Sequence, residues 1–222
     1  RAPLPGSASG VGYRPDYRRQ LDIFDPARFK DRCVTIIGLG NIGSHTALAL
    51  TRMGVRKFRL YDFDVVEAHN LSSQAYRLQD VGKPKVSALG NMMLLEINPS
   101  AIIFAHDRAF GENAKASDLV VVAVDSIAER KKIAAALAPS TFIVDGRMGG
   151  GQVEIWTASS PLEWLQTLEI EASDDPCAGR YISYTSYLIA GMIANTVKRH
   201  LMGESVPKMA LLHTSTMQTL VN

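Results

Sequence analysis

Five short apolar runs, residues 33–37, 58–61, 102–105, 119–124 and 142–144, alternate with stretches of helical spacing at 42–53, 86–97 and 128–137. No other feature of the chain restricts its fold as tightly. A run such as Leu119-Val120-Val121-Val122 has no polar face, so a strand made from it must be covered on both sides. The intervening helices supply that cover. The pattern predicts an α/β chain with a Rossmann-like, mainly parallel sheet and helices on both faces. The helix at 86–97 closes at Asn98-Pro99, because proline cannot continue it. After Asp145 the alternation changes. Gly149-Gly150-Gly151 opens a strand of alternating character at 152–157. An irregular acidic stretch at 159–179 follows, then a long apolar helix over 181–197 and a last strand at 209–213. Additional antiparallel strands are therefore expected toward the C-terminus.

A chain of 222 residues, 46% hydrophobic and 21% charged, suits one large domain with a sizeable core. We expect residues 1–12, rich in glycine and proline, to form a disordered tail and 13–222 a single domain. The start at Arg1 reads as a trimmed or partial chain, and residues 1–12 lack the apolar core of a signal peptide. A net charge of +2 predicts neither DNA nor an acidic membrane surface as a partner. The uncharged stretch 181–197 carries Ser183, Thr185, Ser186, Asn195 and Thr196 and reads as a buried packing or dimer helix. Two distant cysteines, Cys33 and Cys177, make no disulfide framework and suit a cytoplasmic location.

Gly38-Leu39-Gly40-Asn41-Ile42-Gly43 joins the first strand to the first helix. Its glycines permit a tight turn and let the backbone approach a phosphate, which the free N–H groups of a helix start favour. Asp62 ends the second strand about 20 residues on, where a carboxylate can accept hydrogen bonds from a ribose. The turn by itself fits NAD and ATP equally.

The next segment separates them. Asp62-Phe63-Asp64-Val65-Val66-Glu67-Ala68-His69-Asn70-Leu71-Ser72-Ser73-Gln74, then Gly82-Lys83-Pro84-Lys85, resembles the ATP-binding signature of the ThiF/MoeB/ubiquitin-activating superfamily. That signature reads D-x-D-x-V-x-x-x-N-L-x-R-Q followed by G-x-x-K. Asp125 and Arg130 resemble its D-x-x-x-x-R element, and Tyr17-Arg18-Arg19-Gln20 its N-terminal R-Q motif. The resemblance implies ATP- and magnesium-dependent adenylation of a carboxylate. The implied substrate is the C-terminus of a ubiquitin-like or sulfur-carrier protein, and a homodimer is implied as well. It makes Lys85 and Arg19 the cations near the phosphates, Asn70 and Gln74 polar positioners, Asp62 and Asp64 part of the nucleotide site, and Asp125 the magnesium carboxylate. Arg19 would act in the partner's site. Cys177, before the apolar helix, matches a cysteine that forms a thioester or persulfide in some relatives, while Asp174 and Asp175 oppose thiolate formation.

Each residue also has a plainer reading: Asp62 and Asp64 as loop caps, Lys85 as a solvated lysine, Asp125 as a helix N-cap. The pattern departs from the family at Ser73, where arginine is usual, so a phosphate-binding cation is missing. Arg77 or Arg147 could replace it, or the chain could bind ATP without catalysis. The paired C-x-x-C motifs of many relatives are absent, so no structural zinc is expected, and the five histidines lack ligand spacing. A tRNA-carboxylate-activating dehydratase of the same superfamily and a NAD-dependent oxidoreductase remain as competing functions. The near-neutral charge gives the first no support, and the second leaves Asn70, Gln74, Lys85 and Asp125 without a task.

Overall fold

The computed structural model describes residues 15–149, 151–168 and 182–222. Strands β1 (Cys33–Ile37), β2 (Lys57–Asp62), β3 (Ile102–Asp107), β4 (Leu119–Val122) and β5 (Phe142–Gly149) run parallel. Strands β6 (Gln152–Ala158), β7 (Met209–His213) and β8 (Gln218–Val221) continue the sheet antiparallel, in the order β3-β2-β1-β4-β5-β6-β7-β8. The expected fold class is thereby borne out.

Two hydrophobic cores follow from the period of a strand. In β4, Leu119 and Val121 enter the core on one face, while Val120 and Val122 enter the core on the other. All four are completely buried, which is why this strand reads as an unbroken apolar run. Helices α1 (Asn41–Met53), α2 (Lys85–Met92) and α5 (Ser183–Met202) cover the first face. Helices α3 (Ile127–Ala136) and α4 (Pro161–Leu168) cover the second, with Trp164 fully buried against Ile143 and Ala158. Burying each large side chain of this kind contributes about 1.5–3 kcal/mol.

Several expectations need correction. The stretch 159–179 is not wholly irregular, since α4 occupies its beginning. Helix α2 gives way to a single π turn at Met93–Ile97, where the Asn98 N–H reaches back to the Met93 carbonyl (2.8 Å) before Pro99. Strand β4 stops at Val122 rather than at 124, and β5 runs on to Gly149 because β6 pairs with it from Ile143 to Gly149. Strand β8 was not expected at all. Among the described residues no helix is long and apolar enough to cross a membrane.

Candidate active site

From β1 the chain moves outward to β2 and β3, then returns to place β4 on the other side of β1. The loops leaving β1 and β4 therefore diverge and open a crevice at their carboxyl ends. A cleft of about 1360 Å³ lies there, lined by the glycine turn, the loop after β2, the starts of α2 and α3, and the β5–β6 hairpin. Small-molecule pockets usually enclose roughly 300–1000 Å³, so more than one reactant fits.

The glycines of the turn divide their tasks. Gly38 has a φ of +85°, and a β-carbon on Gly43 would lie 1.9 Å from the Gly38 carbonyl oxygen, so both shape the turn itself. A β-carbon on Gly40 would meet only Gln74 Nε2, at 4.0 Å. Gly40 caps α1 without a side chain, leaving first-turn N–H groups for an anion. Beside them the amide oxygens of Asn41 and Gln74 are buried without a hydrogen-bond partner among the described residues. An unpaired buried polar atom costs roughly 1–3 kcal/mol. Both side chains line the cleft, where a polar ligand would remove that cost.

Asp62 closes β2 and is tied to the turn: the Leu39 N–H donates to Oδ2 (2.6 Å) and the Asp64 N–H to Oδ1 (2.8 Å). Burial pushes its carboxyl above the usual value, opposed by these two bonds and by the Lys85 charge. Each oxygen retains a lone pair for a ligand hydroxyl. The following loop folds back through a bridge between Val65 and Pro84, which sets Lys85 opposite Asp64. Lys85 begins α2, where a cation opposes the helix dipole. Its ammonium, almost fully buried, donates to Asp64 Oδ2 at 2.7 Å. Asn70 is also buried, and its Oδ1 accepts the Glu67 N–H (2.9 Å) to cap the short helix Ala68–Ser72. Asp125 is exposed in the cleft after β4. Ser126, not Asp125, caps α3 by accepting the Glu129 N–H (3.3 Å), so the capping explanation for Asp125 falls.

Gly38, Gly40, Asn41, Asp62, Asp64, Asn70, Gln74, Lys85 and Asp125 thus all line one cleft, with Gly43 beneath them. Arg19 does not. Its segment is fastened at the other end of α1, where Gln20 Nε2 donates to the Met53 carbonyl (2.8 Å). A helix of 13 residues sets that point about 20 Å from the glycine turn. Cys177 lies outside the described residues. Ser73 is buried, with its carbonyl accepting a bond from His45 Nε2 (2.9 Å). Arg77 cannot take over from the missing arginine, because it donates to both oxygens of Asp80 (2.8 and 3.2 Å) and pairs with Glu96, outside the cleft. Arg147 does line the cleft.

Sequence reasoning missed what surrounds Arg147. Asp145, completely buried on β5, accepts Arg130 Nε at Oδ1 (3.1 Å) and both Arg147 Nε (2.8 Å) and Trp164 Nε1 (2.9 Å) at Oδ2. The D-x-x-x-x-R spacing flags Arg130, but nothing local ties Asp145 to Trp164. Among the described residues no group of three or more His, Cys, Asp or Glu is placed to hold a metal.

A parallel sheet with a glycine turn at its switch point and an acid closing the second strand defines a Rossmann-like α/β protein. The chain belongs to the ThiF family, whose model matches residues 17–221. Ubiquitin-like modifier-activating enzyme 5 of Drosophila mojavensis is 36% identical over 90 residues, 40% of this chain and 22% of that protein. Its Arabidopsis thaliana counterpart is 38% identical over 76 residues, 34% of this chain and 17% of that protein. The matched part therefore spans about a fifth of those relatives' length. Among solved structures, E. coli MccB with MccA superposes with a TM-score of 0.75 at 16% identity, over 99% of this chain and 74% of that one. E. coli MccB with ATP gives 0.72 at 17% identity, over 89% and 65%. PaaA gives 0.71 at 19% identity, over 89% and 74%. At such identities the likeness is one of fold.

Proposed function

We propose that this chain binds ATP in the cleft at the switch point and adenylates the carboxylate of a protein or peptide. The observation that carries this reading is the gathering of Asp62, Asp64, Asn70, Gln74, Lys85 and Asp125 around the bare turn at Gly40. A NAD-dependent oxidoreductase would use the turn and Asp62 but has no task for the other residues. The names of the relatives, and of MccB with its MccA partner, support a ubiquitin-like protein or a peptide as the carboxylate donor.

Adenylation forms a bond between a carboxylate oxygen and the α-phosphorus of ATP. The bond to the bridging β-phosphate oxygen breaks, and its electron pair leaves with pyrophosphate. ATP supplies the electrophile, and the protein supplies position and charge. Asp62 holds the ribose hydroxyls, and the α1 N–H groups receive phosphate oxygens. Lys85 exchanges Asp64 for a phosphate oxygen. Asp125, exposed and uncommitted to the α3 cap, provides a magnesium ligand. Magnesium needs only one or two carboxylates when phosphates and water complete its shell, so no dense acidic cluster is required. Arg19 reaches the site of a second copy.

Lys85→Ala is expected to lower ATP–pyrophosphate exchange at least about 100-fold while the melting temperature in buffer stays within a few degrees. Unchanged exchange would remove Lys85 from the reaction. Magnesium-ATP should raise the wild-type melting temperature and NAD should not; the reverse result ends the proposal. Ser73 favours a second reading, an ATP-binding subunit without catalysis. That reading requires ATP stabilisation with no exchange for any carrier protein.

A further inference from the structure

Ser44 and His45, neighbours on α1, reach the loop that carries Gln74 across 28 to 31 residues of sequence. His45 Nε2 donates to the Ser73 carbonyl (2.9 Å), and Ser44 Oγ accepts the Ala75 N–H (3.1 Å). The Ser44 hydroxyl in turn donates to the Gly40 carbonyl (2.7 Å), so this side chain is anchored on the glycine turn. The Gln74 N–H donates to the Asn70 carbonyl (2.8 Å), and the buried Tyr76 hydroxyl donates to the Leu39 carbonyl (2.8 Å). The His45 ring is held edge-on by Tyr187 of α5 at 4.6 Å. A peptide group is planar, so the backbone of Gln74 can turn only between the plane before it and the plane after it. Both planes are pinned. The first is held at the Ser73 carbonyl and the Gln74 N–H, the second at the Ala75 N–H. The main-chain angles of Gln74 are thereby set from α1, and its side chain is aimed at the turn. A β-carbon on Gly40 would meet Gln74 Nε2 at 4.0 Å, while Gln74 Oε1 has no hydrogen-bond partner among the described residues.

Gln74 lines the cleft, whereas Ser44 and His45 do not. They act through Gln74 rather than on a ligand. We propose that Ser44 and His45 are positioning residues that hold the Gln74 amide over the bare turn at Gly40, against the phosphates of a bound nucleotide. The ligand in this statement rests on the function proposed above. Catalysis and binding of this kind depend on placement, and a displacement of about 1 Å in a polar group can cost roughly 100-fold. A tie that served only the fold would lower stability whatever residue stood at position 74. A positioning tie matters to the ligand only while Gln74 is there.

That difference is the test. Magnesium-ATP is titrated by calorimetry into the whole chain and its variants, each first checked by its melting temperature in buffer. Gln74→Ala and His45→Leu should each weaken binding about 10-fold, the scale of one lost hydrogen bond. The double variant should bind about as Gln74→Ala alone does, because residues that act through one another are not additive. His45→Gln, whose amide can still donate to the Ser73 carbonyl, should recover most of the affinity. Should His45→Leu fail to fold, Ser44→Ala, which removes the tie to Ala75, is read against Gln74→Ala in the same way. The inference is overturned if His45→Leu and Ser44→Ala bind as wild type does, or if either weakens binding equally with and without Gln74. Wild type that binds no magnesium-ATP would end the proposed function and this inference together. Wild type that binds, with variants that bind equally well, would overturn the inference alone.

Discussion

A methyl group added at Gly43 would lie 1.9 Å from the Gly38 carbonyl oxygen, whereas one added at Gly40 would find only Gln74 Nε2 at 4.0 Å. The same substitution at two positions of one turn should therefore separate folding from ligand binding. Gly43→Ala is expected to cost about 3 kcal/mol and lower the melting temperature by roughly 6–12 °C. Gly40→Ala should melt close to wild type yet lose most of its stabilisation by magnesium-ATP, since the methyl occupies space that the phosphate needs. Equal melting temperatures for the two would contradict this division. These residues were legible in the sequence because the turn is local, as is the motif from Asp62 to Gln74. The cluster around Asp145 was not. Its members come from α3, β5 and α4, and no spacing brings Trp164 to a carboxylate that precedes it by a whole hairpin. Only the packing of α4 on the sheet does so.

At the scale of elements, apolar strands and periodic helices were readable, and the misses have specific causes. Helix α4 carried a signal in Ser160-Pro161-Leu162-Glu163. The Glu163 N–H donates to Ser160 Oγ (3.2 Å), and Glu163 Oε2 accepts the N–H of Ser159, one residue before that cap (2.8 Å), a pattern close to the reciprocal capping box that marks a helix start. The acidic stretch that follows obscured it. Strand β8 had no signal of its own, because it buries none of its side chains and exists through pairing with β7. The α1–α5 pair and the end of α5 also contain two histidines that tie stability to pH. His45 of α1 meets Tyr187 of α5 edge-on, and burial lowers its pKa below 6.5, partly opposed by the bond to Ser73. His200 stacks on Phe142, and burial and Arg32 lower its pKa likewise, against the pull of Asp118. With folded pKa values depressed, the unfolded chain takes up protons first. The stabilisation is full above pH 6.5 and is lost as pH falls through the folded values. Between pH 7 and pH 5 the urea midpoint of wild type should fall about 0.5 M further than that of the His45→Gln/His200→Gln variant. Parallel pH curves would show that other groups control acid unfolding.

For the whole molecule, the telling fact is the distance between Arg19 and the cleft of its own chain. If the chain pairs with a second copy and Arg19 serves the partner's site, Arg19→Ala and Lys85→Ala proteins should each be inactive alone and regain activity when mixed. Random exchange in a two-fold dimer makes half of the dimers hybrid, each with one intact site, which predicts about a quarter of wild-type exchange. No recovery after prolonged mixing of well-folded variants would place Arg19 outside the reaction.

Among the described residues the sheet ends at β8, whose side chains are all exposed and uncharged. The reciprocal bonds between Met209 and Asn222 turn the amides of Thr219 and Val221 away from β7. Natural proteins commonly guard such a border with lysine, proline or a bulge. Here Leu220 and Val221 stand open beside main-chain donors that the ladder leaves unpaired among the described residues. Any extended polypeptide that arrives can lengthen the ladder, so concentrated preparations are liable to cross-β clumping that begins at this rim.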